Sequence, residues 1–228
     1  MSDVATEVRA QQIHAEQMLV RRVRVDRMFA VLLAVQYVAG IIGALVVSPY
    51  AWEGKDRVLH MHVWVAILGG AGIIILPILL ALFRPGTAMT RHVIAASQML
   101  SSALLIHLTG GRIETHFHVF GSLAFLAFYL DWQVIITATV VVATDHFLRG
   151  IYWPESVYGV ANAEWWRFLE HAGWVVFEDV FLIWSCILGN REIAASAART
   201  AEVEHLSEQE QLKSAALEMA LAEMQATA

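Results

Sequence analysis

Between Met28 and Leu188 the chain is a succession of apolar runs, most of them long enough to cross a bilayer, separated by short breaks of charged residues, proline or glycine. A helical crossing takes about 20 apolar residues, within a range of roughly 17 to 25. The first run extends from Met28 to Ser48 and is followed by a loop with Pro49, Glu53, Lys55, Asp56 and Arg57. The second covers about His60 to Phe83 and contains Pro77, where a kink is expected. After Arg84-Pro85-Gly86 comes a third, His92 to Thr109, and after Gly110-Gly111-Arg112 a fourth, His116 to Tyr129. At roughly 14 residues the fourth is short for a crossing. Asp131 marks a turn into the fifth, Trp132 to about Leu148, and a loop with Trp153, Pro154 and Gly159 leads to the sixth, Trp166 to Leu188.

Apolar residues make up 58% of the 228 positions and charged residues 16%, against about a quarter charged in a soluble domain. The expected fold is therefore all-α: a polytopic membrane helical bundle of about six transmembrane helices with a C-terminal cytoplasmic helix. Residues 1–27 form a polar N-terminal segment, 28–188 the transmembrane domain, and 189–228 an Ala/Glu/Gln-rich helix without proline. That last segment reads as an exposed helix and a candidate coiled coil, since Val203, Leu206, Leu212, Leu217, Leu221 and Met224 keep an imperfect heptad. It also carries seven Glu against three Arg or Lys, which supplies −4 of the net charge of −6. No basic-aromatic patch suggests nucleic acid, and Cys186, the single cysteine, has no partner for an internal disulfide.

Arg9, Arg21, Arg22, Arg24 and Arg27 precede the first run, without the pattern of a cleaved signal peptide. Basic residues flanking a crossing favour the cytoplasmic side. Both termini are then cytoplasmic, with the loops near Lys55, Arg112 and Pro154 outside.

With that topology the polar residues of the apolar runs gather at the outer ends. They are His60, His62, Glu114, His116, His118, Asp145, His146, Glu170, His171 and, deeper, Glu178. Ionisable residues in membrane segments are costly and are concentrated at functional sites. Imidazole with carboxylate suits a transition metal, iron or copper first and zinc or manganese next, as one or two ions per chain. A lone cysteine argues against an iron–sulfur cluster. Glu114, Asp145 and Glu170 serve either as ligands or to orient the histidines. His107 and Asp179 are assigned to packing or a supporting role, His92 to a cytoplasmic helix start, and His14 and His205 to exposed segments. Residues two apart stand about 200° apart on a helix. His116 and His118 therefore cannot face one point, nor can His60 and His62, whereas His171 and Glu178 share a face.

The stretches GGRIETHFHVFGSLAF from Gly110, ATDHFLRGIYWPESVYG from Ala143 and FLEHAGWVVFEDVF from Phe168 resemble the N-terminal membrane module of bacterial sensor histidine kinases and methyl-accepting chemoreceptors. The resemblance covers about His60 to Leu188. It implies a signal-input role in a bacterial inner (cytoplasmic) membrane, with the helix after Gly189 leading to a kinase or chemoreceptor output domain. A movement of that helix would be read most simply as a parallel helix pair in a homodimer. These 228 residues contain no phosphoacceptor box, ATP-binding motif or chemoreceptor hairpin, so the output domain is expected on another chain or to have been removed. The sensed ligand is the metal itself, a diatomic gas or an oxidant.

Two other classes fit the same residues. A membrane di-metal oxidoreductase would use the His/carboxylate set, but the HxxxH and HxxHH boxes of desaturases are missing. Haem held by two of the histidines is the other, with the nearby carboxylates against it. A transporter fits worst, because polar residues at one face trace no path across a bilayer.

Overall fold

The computed structural model describes residues 2–227. Met1 and Ala228, the outer limits of the terminal segments read from the sequence, lie outside the described residues. Among the described residues the chain is helical apart from one hairpin and the short connections between helices. Helix α1 spans Ser2–Val47, and the hairpin pairs β1 (Tyr50–Glu53) with β2 (Asp56–Leu59) in antiparallel register. Next come α2 (Met61–Trp64), a π-helical segment (Val65–Gly69) and α3 (Gly70–Phe83), which form one continuous rod. Helices α4 (Ala88–Leu108) and α5 (Ile113–Leu126) follow, with a 3₁₀ turn at Ala127–Tyr129. The chain ends with α6 (Trp132–Tyr152), the short α7 (Glu155–Tyr158) and α8 (Arg167–Thr227).

Among the described residues four helical rods are long and apolar enough to cross a membrane: α1, Met61–Phe83, α6 and α8. The other two runs differ for physical reasons. Helix α4 has the length but carries Arg91, His92, Ser97, Gln98, Ser102 and His107. Its neighbours bury it: Thr90, Ser97, Gln98 and Ser102 are all buried, so protein rather than lipid surrounds these polar groups. Helix α5, with 14 residues, rises about 21 Å, short of a hydrocarbon core of about 30 Å.

The chain divides into two compact units, residues 20–188 and residues 1–19 with 189–228. In the larger, an apolar core of Phe29, Ile94, Met99, Ile106, Leu123, Leu126, Tyr129 and Ile135 joins α1, α4, α5 and α6. One end of this unit is tied by charge. Asp26, fully buried, accepts hydrogen bonds from the Tyr129 hydroxyl and the Gly86 amide, both at 2.6 Å. Arg91 pairs there with Asp131 at 2.7 Å, and the Asp131 side chain caps α6 by accepting from the Gln133 amide. The connections α3–α4 and α5–α6 therefore lie at this end with Asp26. At the other, Gly111 and Gly159 have positive φ, and a Cβ on Gly111 would stand 2.3 Å from the Gly159 nitrogen. The α4–α5 and α7–α8 connections thus touch backbone to backbone.

In the smaller unit the N-terminal part of α1 lies antiparallel to α8. Ile13 packs on Ala197 and Ala201, Arg9 pairs with Glu204 at 2.8 Å, and His14 contacts Asn190 at 2.8 Å. From Leu206 to Thr227 every side chain of α8 is exposed.

A candidate histidine site on α5, α6 and α8

Helices α5, α6 and α8 each contribute one histidine to a cluster of three neighbouring rings. His116 and His146 are 5.6 Å apart between ring centres, His116 and His171 5.2 Å, and His146 and His171 5.9 Å. His116 and His146 are both 5% exposed. Each ring is oriented by its own helix, with Nδ1 facing the carbonyl four residues earlier: Arg112 at 3.0 Å, Val142 at 3.1 Å and Arg167 at 3.0 Å. A carbonyl only accepts, so Nδ1 must carry the proton in all three neutral rings. Nε2 is then a bare lone pair, and on His116 it is buried without a partner.

Among the described residues no three His, Cys, Asp or Glu side chains close around one point as a ready metal cage, yet this triad approaches one. Three imidazoles on a tetrahedral ion at about 2.0–2.1 Å would hold their ring centres roughly 5.2 Å apart. The His116–His171 spacing of 5.2 Å equals that, and the other two, 5.6 and 5.9 Å, are wider. The donor chemistry also fits, since metal-bound histidines usually give their other N–H to a carbonyl or carboxylate. Beside the triad lies a cavity of about 70 Å³ with otherwise apolar walls that include Val119, Phe120, Val142 and Phe168.

The remaining candidates are distributed elsewhere. His118 points away from His116, as the helix angle requires, and both its nitrogens are engaged: Nδ1 with Ser102 at 2.8 Å and Nε2 with Gln36 at 3.0 Å. No lone pair is left for a metal. His60 and His62 form a second group with His107, at 4.4 and 5.0 Å between ring centres. His60 caps α2, its Nδ1 accepting from the His62 amide; its proton therefore sits on Nε2, which disqualifies that nitrogen as a ligand. His60 and His62 come together because His60 lies before the helix, in extended conformation, where the helical angle does not apply.

The acids sort in the same way. Asp145 is held by Arg149 and stands 3.4 Å from Nδ1 of His146, an orienting position. Glu114 is exposed and paired with Arg112 at 3.4 Å. Glu170 and Glu178 line an open groove with His116 and His171, and Glu178 keeps one carboxylate oxygen buried without a partner. Asp179 accepts from Thr139, on α6.

Sequence reasoning missed Arg149 and Ser156. Arg149 donates to Ser156 at 2.8 Å, and Ser156 contacts His107 at 2.9 Å. With Asp145 these residues join the two histidine groups by polar contacts. The spacing of Asp145 and Arg149, four apart on one helix, carried the signal.

No family model and no solved structure matches the chain. It is similar to the transducer protein Htr8 of Halobacterium salinarum, 38% identical over 69 residues, which is 30% of this chain. The matched stretch spans 11% of that relative's length.

Proposed function

We propose that this chain is a transmembrane sensory input module. Its helices make six crossings of a bacterial cytoplasmic membrane with both termini inside. His116, His146 and His171 hold a transition metal near the outer face, and α8 passes a change in its ligand or redox state to a cytoplasmic output domain. The triad carries the reading: three imidazoles from three helices, each with Nδ1 tied to a carbonyl and Nε2 left over. Six crossings agree with the positions of the connections, because Asp26, Gly86 and Asp131 gather at one end and Gly111 and Gly159 at the other. In this topology α4 crosses largely inside the bundle, and α5 crosses with Phe117 and Phe125 exposed on its outer face. The antiparallel contact of Arg9 with Glu204 is what termini on one side require. Similarity to a transducer supports a signalling role.

A bound metal would supply a Lewis-acid or redox centre. The protein's own part is to fix the tautomer of each histidine through its carbonyl, and to keep water out with the apolar cavity wall. His171 belongs to α8, so a shift of order 1–2 Å in that helix is the natural output.

The reading is tested by joining residues 1–228 to the cytoplasmic part of a chemoreceptor and recording kinase control in cells with and without metal. Control should differ between the two conditions and become constant in His116→Ala and His171→Ala. Output that ignores metal in the unmodified fusion, while the fused kinase remains active, would sink the sensory assignment.

A further inference from the structure

A second cavity, of about 190 Å³, lies away from the triad, between α1, the π-helical segment, α3 and α4. Small residues make the space: Gly40, Ala66 and Gly70 are in its wall. At Gly70 a Cβ would stand 2.9 Å from the Tyr37 ring, so glycine is needed for α1 to approach here. The Tyr37 hydroxyl donates to the Ile67 carbonyl, inside the π-helical segment. Such segments recur where a helix is shaped around a site.

The hydrogen bonds fix what the cavity offers. Ser102 donates its proton to the Gln98 carbonyl at 3.0 Å. Its oxygen is therefore left to accept from Nδ1 of His118 at 2.8 Å, and Ser122 Oγ stands 3.3 Å from the same nitrogen. Nδ1 then holds the ring proton, and Nε2 accepts from the Gln36 amide nitrogen at 3.0 Å. This turns the other end of the amide, Oε1, away from His118, and that oxygen is buried without a partner. Gln36 and His118 both line the cavity. A buried acceptor in apolar surroundings is costly unless something donates to it. A water would need two to four polar partners; apart from Gln36 and His118 the wall carries the hydroxyls of Tyr37, already given to Ile67, and Ser101, and is otherwise apolar, with Ile74, Leu104, Leu105 and Leu108. Apolar cavities of about 150 Å³ hold a benzene ring.

We propose that this cavity is a second ligand site, for a small lipid-dissolved molecule with an apolar body and a single hydroxyl or N–H donor, the class of simple phenols, whose donor meets Oε1 of Gln36. It does not depend on the triad or on a metal.

The test uses the full chain in lipid nanodiscs and ¹⁹F NMR with two probes of like shape, 4-fluorophenol and 4-fluorotoluene. 4-Fluorophenol should bind saturably and about fivefold tighter than 4-fluorotoluene, the ratio expected of one added hydrogen bond. Gln36→Leu should bring the ratio close to one. Gly40→Leu, where a Cβ meets nothing within 4 Å, should fill the space and block both probes. No saturable signal from the unmodified chain, or equal affinity for the two probes, would overturn the proposal whatever the variants do. So would a phenol preference that survives Gln36→Leu. Because metal content is not read, the result is separate from that of the triad.

Discussion

The imidazole rings of His116 and His171 stand 5.2 Å apart, on α5 and α8, each tied through Nδ1 to the carbonyl four residues before it. Two rings held in the same tautomer by the same local device present equivalent lone pairs, and His146 repeats the device on α6. The carbonyl partner comes from the ring's own helix or, for Arg112, from the residue that caps it, so each histidine is oriented before the three helices meet.

Orientation by Asp145 should be measurable. Asp145→Asn keeps the shape but removes the charge beside Nδ1 of His146 and weakens the Arg149 pair. Supporting partners of metal-binding histidines typically contribute 10–100-fold in affinity. A zinc titration against a competing chelator should show a loss in that range. An unchanged affinity would remove Asp145 from the site.

The buried knot at the other end of the bundle should contribute to stability. Tyr129→Phe removes the O–H donor to Asp26, which is fully buried. Leaving a buried acceptor short of its donor costs about 1–3 kcal/mol. Unfolding in mixed micelles should show a loss of that size, whereas Tyr152→Phe, at an exposed position, should show none.

Much of this fold was legible, and the illegible parts have specific causes. The apolar runs located every long helix, because lipid and protein interiors demand the same composition. The hairpin was read as a loop, although Gly54, at φ 65°, is the turn residue that such hairpins use. Helix α1 begins as far back as Ser2, since Arg, Glu and Gln favour helix whether or not they cross a membrane. Helix α8 continues through Gly189 because one glycine costs only about 1 kcal/mol and good helix formers follow. In the site, helix geometry separated His116 from His118, but which of them meets His146 and His171 depends on how α5 is turned against α6 and α8. That is a tertiary fact with no local signature. The engagement of His118 by Gln36 and Ser102 is of the same kind.

Topology is open to direct labelling. In a Cys186→Ser background, a membrane-impermeant thiol reagent added outside should reach cysteines at Lys55 and Pro154 but not at Arg84 or Gln211. Labelling of Gln211 from outside intact cells would reverse the orientation, and labelling of both Lys55 and Arg84 would break the second crossing.

The exposed end of α8 should register the state of the site if it pairs in a homodimer. Spin labels at Gln211, an exposed position, should give a resolved distance distribution that shifts by ångströms between metal-loaded and chelated protein. An unresolved distribution in both states would rule out a paired output helix. A resolved but constant one would leave the pair and remove the coupling.

The central claim is that three lone pairs on α5, α6 and α8 hold a metal, and elemental analysis of the purified full chain tests it most directly. The unmodified protein should carry about one transition-metal ion per chain at the triad. His116→Ala, His146→Ala and His171→Ala should each lose it, and His118→Ala and His92→Ala should retain it. Equal metal content in all five variants, or none in the unmodified chain after growth in metal-supplemented medium, would contradict the account.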